Sequence, residues 1–182
     1  AQAGSLAWEL SQTRQSIAVS LSASVQAELT EVGLTNVLFN AAITRSISQD
    51  GLLGPDGQRY AYSTNGIDEI EFRVQTNVGE EMKALAKIAS GGETSRMMLA
   101  LNSVLQTHSP VPTLIFDEID TGIGARAGTV LGLKLWALAR SGQVLCVTHL
   151  PQIAAFGDKH FRIAKSQLDS RTFATAQTLS QG

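Results

Sequence analysis

Cysteine is almost absent. Cys146 is the single thiol in 182 residues, which excludes an internal disulfide framework and a multi-cysteine zinc site and fits a reducing, cytoplasmic setting. Charge of either sign is sparse: charged residues make up 16% of the chain and the net charge is −2. That balance gives no global pull toward nucleic acid, because phosphate binding needs clustered Lys and Arg. No apolar run approaches the roughly eighteen residues of a membrane-spanning helix. The amino terminus has neither a charged n-region nor an apolar h-region, so no signal peptide is expected. There is no G-x-x-x-x-G-K-[ST] phosphate loop, and Gly122-Ile123-Gly124 is not followed by the Gly-Lys-Ser/Thr that would make one. Internal repeats and low-complexity tracts are also missing. The chain begins mid-pattern without Met, and reads as a fragment or processed piece. What it does have is apolar content of 43%, enough to bury a core.

The spacing predicts a long helix from about residue 5 to residue 31, ended by Gly33. Leu6, Leu10, Ile17, Leu21, Val25 and Leu29 fall on one apolar stripe at steps of four and seven. Such a helix reads as lying across a sheet or as the last piece of a coiled coil entering a head domain. Domain limits of 1–32 for the arm and 33–182 for a lobe follow from the second reading. Residues 37–45 read as a strand, 51–57 as a Gly/Pro/Asp turn region, and 67–77 as a half-buried strand alternating through Ile70, Phe72 and Val74. This first part suggests antiparallel pairing. After residue 90 the pattern changes to helix (about 90–106), buried strand (113–117), helix (about 125–140), buried strand (143–148) and a short helix opened by Pro151. Strands at 161–165 and 172–177 close the chain. Apolar strands alternating with helices imply an α/β fold with a mostly parallel sheet.

Three short motifs carry chemistry. Ser90-Gly91-Gly92-Glu93 opens a helix. Ser90 and Glu93 have the spacing of a capping box, which leaves the two glycines unexplained. Bare backbone N–H groups at a helix start can approach an anion closely. Thr113-Leu114-Ile115-Phe116-Asp117-Glu118 is an apolar strand running into two acids. Carboxylates are costly inside, so they should emerge at the strand's carboxyl end, where open parallel sheets bind ligands. Asp117 suits a Mg²⁺ ligand and Glu118 a base for an attacking water; an ordinary acidic turn is the alternative. Val144-Leu145-Cys146-Val147-Thr148-His149 is a second apolar strand whose His149 would reach the same edge and hydrogen-bond a phosphate oxygen or a water. A loop or capping role is its alternative. His108 and His160 read as structural and Cys146 as a small core residue. Arg96 reads most simply as a solvated helix residue.

In this order and spacing the motifs resemble the carboxy-terminal half of an ABC-type ATPase. Ser90–Glu93 is similar to the family's signature sequence, Thr113–Glu118 to its Walker B strand and His149 to its switch histidine; Asp120-Thr121-Gly122-Ile123-Gly124 stands at the position of the D-loop. Glu93 and Glu118-Ile119-Asp120 depart from the transporter pattern. The strings running from Leu85 to Arg96, Phe116 to Ile123 and Val147 to Ala154 look like the RecN family of SMC-like DNA-repair ATPases.

The resemblance implies the carboxy-terminal lobe of a P-loop, ABC-type head, whose Walker A lobe lies upstream of the coiled coil. It implies ATP and Mg²⁺ as ligands and two heads sandwiching two nucleotides as a homodimer. Asp117, Glu118 and His149 would serve one nucleotide, and Ser90, Gly91, Gly92 and Glu93 the other. It also implies DNA association in double-strand break repair and recombination, a cytoplasmic, nucleoid-associated location and no membrane. Alone, a chain without Walker A is expected to be inactive. The alternatives are the ATPase lobe of an ABC transporter and another chromosome-organising SMC-like ATPase.

Overall fold

Helix α1 (Gln2–Glu31) opens the computed structural model, which describes residues 2–88, 91–106, 111–168 and 171–179. Gly33 ends the helix with a φ of 83°. Its N–H reaches the Thr30 carbonyl at 3.2 Å, and the Leu34 N–H reaches that of Leu29 at 2.9 Å. This is a Schellman closure, in which a left-handed residue satisfies the last free carbonyls.

The expected stripe on α1 is only half buried. Val25 and Leu29 are each 1% exposed, whereas Leu6, Leu10 and Ile17 are 60%, 42% and 56% exposed. The reason is geometric: each step of four residues advances about 40° around a helix of 3.6 residues per turn. The run Ile17, Leu21, Val25, Leu29 therefore winds round the helix instead of lying along it. Toward the amino terminus the buried line is Gly4, Ala7 and Ser11.

Strand β1 (Leu38–Thr44) is an edge strand, paired antiparallel with β4 (Glu69–Gln75), which pairs in turn with the short β5 (Lys83–Ala84). Helix α1 serves the open edge of β1. Gln26 donates to the Val37 carbonyl at 2.8 Å and accepts from the Phe39 N–H at 3.1 Å, and Ser22 accepts from the Ala41 N–H at 3.0 Å. The polar content of α1 thus satisfies backbone groups that an edge strand leaves open.

Strands β2 (Ile47–Leu53) and β3 (Arg59–Tyr60) form a hairpin. The turn expected over 51–57 is shorter than its composition suggested. Gly51, Leu52 and Leu53 belong to β2, and the reversal occupies 54–58, closed by Gly57 N–H to the Gly54 carbonyl at 3.2 Å. This hairpin anchors the amino-terminal end of α1. Trp8 stacks against Tyr60 with centroids 5.9 Å apart, and the Arg45 guanidinium lies 4.4 Å over the Trp8 ring. Beneath them the fully buried Asp68 carboxylate accepts from Ser11, from Arg14 at 3.1 Å and from Arg45 at 3.4 Å.

The second half follows as α2 (Gly91–Leu105), β6 (Thr113–Phe116), α3 (Ala125–Ala139), β7 (Gln143–Cys146), α4 (Pro151–Ala154) and an antiparallel hairpin, β8 (Phe161–Leu168) with β9 (Arg171–Thr178). Strands β6 and β7 are parallel, in register from Thr113↔Gln143 to Phe116↔Cys146. Among the described residues parallel pairing is confined to this pair. One core joins both halves: Val25 and Leu29 of α1, Phe39 of β1, Leu99 of α2, Phe116 of β6 and Leu131 of α3.

The β6–β7 pair departs from the expected two-sided burial. Phe116 is 3% exposed, but Ile115, Leu145 and Val147 on the opposite face are 71%, 45% and 63% exposed. The apolar runs are those of a strand covered on both faces, and the described residues cover only one.

Leu29→Ala is expected to cost about 2–5 kcal/mol in chemical denaturation, the range for truncating a fully buried leucine. A loss near zero would place α1 outside the cooperative unit.

Candidate functional site

Asp117 and Glu118 leave the carboxyl end of β6, and Thr148 and His149 leave the neighbouring end of β7. The Val147 N–H donates to the Phe116 carbonyl at 2.9 Å, which continues the parallel ladder one step past the strands. Both acids are exposed, as a strand running from core to rim requires. The Asp117 carboxylate accepts from the Glu118 N–H at 2.9 Å, which fixes its orientation on the rim.

Glu118 has a φ of 55°, and it is the one non-glycine residue with positive φ among those described. A left-handed backbone costs a side-chain-bearing residue roughly 1–2 kcal/mol, so its neighbours must hold it. They do so from α2, on both sides. Ser95 Oγ donates to the Asp117 carbonyl at 2.6 Å, and Arg96 Nη1 donates to the Ile119 and Thr121 carbonyls at 3.2 and 2.9 Å. Hydrogen bonds from a charged donor contribute about 1.5–3 kcal/mol each, enough to outweigh the local strain. The Thr121 N–H closes the turn onto the Glu118 carbonyl at 3.0 Å.

Arg96 therefore differs from its sequence reading. It is 7% exposed, and it meets neither solvent nor a surface partner. Burial pulls its pKa down from the ordinary value and the Glu93 carboxylate pushes it back up; a guanidinium remains charged throughout. Helical arithmetic carried the signal. Arg96 follows Gly92 by four residues and precedes Leu99 and Ala100 by three and four, so it lies on the buried face of α2.

The glycines gain a second explanation. A Cβ on Gly91 would collide with the Glu118 carboxylate, and one on Gly92 would lie 2.8 Å from the Glu118 carbonyl and 2.9 Å from Thr121 Cβ. Close packing of the 118–121 turn against α2 thus demands glycine at 92, where the clash is with backbone, whereas at 91 the exposed Glu118 side chain could swing aside. Glu93 is exposed in the first turn. Ser90 and His108 lie outside the described residues.

Asp120, which the sequence placed only at the D-loop position, is a hub. It is 4% exposed, and its Oδ2 accepts from Thr148 Oγ1 and from the His149 N–H at 2.9 Å, with His149 Nδ1 3.1 Å away. Thr148 Oγ1 also accepts from the Leu150 N–H at 3.0 Å. The His149 side chain is itself 75% exposed, with Nδ1 beside the Asp120 carboxylate and the rest of the ring open. Burial alone would raise the Asp120 carboxyl, but Thr148, the His149 N–H and the His149 ring together hold it below its ordinary value. Cys146 beneath is inert: burial first, then the Asp120 and Asp117 charges, push its thiol up to about 11. His160 bonds the Ala154 carbonyl at 2.8 Å, a local structural contact.

The site splits into two linked groups. Gly91, Gly92, Ser95 and Arg96 of α2 meet Asp117, Glu118, Ile119 and Thr121, and Asp120 joins that turn to Thr148 and His149. Among the described residues no group of three or more His, Cys, Asp or Glu comes together to hold a metal. Mg²⁺ commonly takes one or two carboxylates and completes its shell with phosphate and water, so Asp117 fits as a single ligand and not as a cage. No helix among the described residues is long and apolar enough to cross a membrane.

No family model matches the chain. It is 38% identical over 175 residues to the DNA repair protein RecN of Bacillus subtilis (strain 168), covering 94% of this chain and 30% of that protein. It is 39% identical over 180 residues to the DNA repair protein RecN of Streptomyces coelicolor, covering 98% and 31%. The chain thus spans about a third of the length of these curated relatives. In fold it is similar to a crystal structure of the Smc head domain with a coiled coil and joint from Pyrococcus yayanosii, with a TM-score of 0.54 at 19% identity, covering 92% of this chain and 28% of that one.

Two outcomes follow for the site. Gly92→Ala is expected to cost about 1–3 kcal/mol of stability, the range for forcing a methyl into a packed contact, read by denaturant titration. For Asp120→Asn the sign comes from linkage. The native carboxyl titrates below its unfolded value of about 3.9, so its stabilisation is complete above that pH and is lost as pH falls through the lower native value. The stability gap between wild type and Asp120→Asn should be constant near neutrality and narrow below about pH 4. A gap that stays constant into acid would show that the Asp120 charge contributes nothing.

Proposed function

We infer, from a chain that belongs to the RecN family and corresponds to its carboxy-terminal segment, that it forms the carboxy-terminal lobe of an ATP-hydrolysing head in a DNA-repair protein. The observation that carries this reading is the convergence of the glycine-led start of α2 and the Asp117-Glu118 pair at the carboxyl edge of the parallel strands.

In this reading Glu118 is the base. It accepts a proton from water as the water oxygen bonds to the γ-phosphorus of ATP. The bond from that phosphorus to the bridging oxygen breaks, and its electron pair leaves with ADP. Mg²⁺, when bound, neutralises charge on the phosphate oxygens, and Asp117 is the residue of this chain that would ligate it. His149 would present Nε2 to a phosphate oxygen or to the water, because Nδ1 lies 3.1 Å from Asp120 Oδ2. Ser90, Gly91, Gly92 and Glu93 would face the γ-phosphate of a second nucleotide, held by the opposing head of a homodimer.

The same reading requires a partner lobe with the Walker A loop, which this chain lacks. The bare apolar face of Ile115, Leu145 and Val147 beside the acids supports that requirement, because such a face is costly to leave in water. The exposed Leu6, Leu10 and Ile17 of α1 suit the end of a coiled-coil arm spanning 1–32, with the lobe beginning at residue 33. Double-strand break repair, DNA association and a cytoplasmic, nucleoid-associated location complete the proposal, on the strength of relatives named as DNA repair proteins.

The test is turnover by this chain alone, then with the Walker A lobe added, then with Glu118→Gln in the mixture. Activity only in the mixture, lowered by at least about 100-fold in Glu118→Gln, is expected. Turnover that survives Glu118→Gln in the mixture would remove Glu118 from the base role.

A further inference from the structure

The sequence motifs leave Arg96 without a task, yet it is a buried cation beside the site. Its guanidinium is buried, it pairs with no carboxylate at hydrogen-bonding distance among the described residues, and its Nε has no hydrogen-bond partner there. A cation brought inside must be compensated, and what it meets is the backbone of the next loop: the Ile119 carbonyl at 3.2 Å and the Thr121 carbonyl at 2.9 Å. Those carbonyls flank the left-handed turn that begins at Glu118. On the turn's other side Ser95, one residue earlier on the same helix, holds the Asp117 carbonyl.

We propose that Arg96 is a positioning residue, whose grip on the carbonyls of Ile119 and Thr121 fixes the backbone on which Glu118 stands and makes the start of α2 and the 117–121 turn move as one body. This rests on the reading of Glu118 as the base. It has a consequence within that reading. The start of α2 faces one nucleotide and Glu118 the other, so a shift of α2 when one nucleotide is gripped is transmitted through Arg96 to the base at the second. Both bonds come from the single nitrogen Nη1, whose direction the rigid guanidinium plane fixes. A lysine ammonium has donors enough but sits on a flexible stem without that plane, so lysine should replace the grip only in part.

The experiment uses the intact protein with Arg96→Met, which keeps length and removes the donors, and with Arg96→Lys. The readouts are kcat, KM for ATP, affinity for a slowly hydrolysed ATP analogue, thermal midpoint and amide hydrogen exchange. In Arg96→Met, kcat should fall about 10–100-fold, the effect of misplacing a catalytic group by about an ångström, while KM and analogue affinity stay within about 3-fold. The amides of Thr121 and Ile123, which bond the Glu118 and Asp120 carbonyls, should exchange at least about 10-fold faster without nucleotide, with those of central α2 unchanged. Arg96→Lys should recover part of both effects. Wild-type kcat and exchange in Arg96→Met would overturn the proposal. So would a fall in kcat matched by equal losses of analogue affinity and thermal midpoint, which would make Arg96 a fold residue only. If Arg96→Met does not fold, Ser95→Ala on the other flank decides: a several-fold fall in kcat with faster exchange at Glu118 supports the brace, and no change in either overturns it. Glu118→Gln, assayed alongside, separates the two ideas. If it keeps turnover, the base assignment fails whatever Arg96 does; if it loses turnover while Arg96→Met does not, only the brace fails.

Discussion

The chain leaving β6 has to turn back within a few residues while keeping two carboxylates at the rim and returning Ile119 to the core, where it is fully buried. That demand puts Glu118 in a left-handed conformation, which an L-residue keeps only when its surroundings hold it. The surroundings are α2. Ser95 and Arg96 grip the turn on either side, and Gly92 lets it lie against the helix with no side chain between. The rotation of α2 about its own axis is constrained in turn, since Arg96 must face the turn while Met97, Leu99 and Ala100 face the core.

Asp120 extends the same construction to the second strand. One buried carboxylate gathers the Thr148 hydroxyl, the His149 N–H and the His149 ring, so the turn after β6 and the turn after β7 share a single anchor. Desolvation opposes a charge at this position and the hydrogen bonds outweigh it. His149 is thereby held by its backbone N–H, with Nδ1 beside the carboxylate, while the ring stays in the open. That arrangement suits a side chain that contacts something arriving from outside.

The lobe is finished on one side and open on the other. Gln26 and Ser22 of α1 complete the edge of β1, and Lys134 of α3 ties back to Glu28 and Glu31 at 2.6 and 2.7 Å. The β6–β7 face bearing Ile115, Leu145 and Val147 has no such cover among the described residues. One face of the β6–β7 pair is thus left bare among the described residues, in a chain that matches about a third of its relatives' length.

Local rules were enough for the long helices, for strands β1, β4, β6 and β7, and for bringing Asp117, Glu118 and His149 to one end of the parallel pair. Gly33 ending a helix, the alternation through Phe72 and Val74, and apolar runs emptying into Asp117-Glu118 and His149 are all read from neighbours a few residues apart, because capping, pleat and rim exposure are short-range effects. The same rules misjudged α1, where steps of four carried the stripe around the helix, and the turn near Gly51, where composition exceeded geometry. They also misread Arg96 as a solvated residue and the β6–β7 strands as covered on both faces, and they gave Asp120 no partner. Arg96 acts on carbonyls 23 and 25 residues away, and Asp120 accepts from groups 28 and 29 residues on. Which buried charge meets which backbone depends on how α2 packs beside the end of β6, and only the folded chain brings those atoms together.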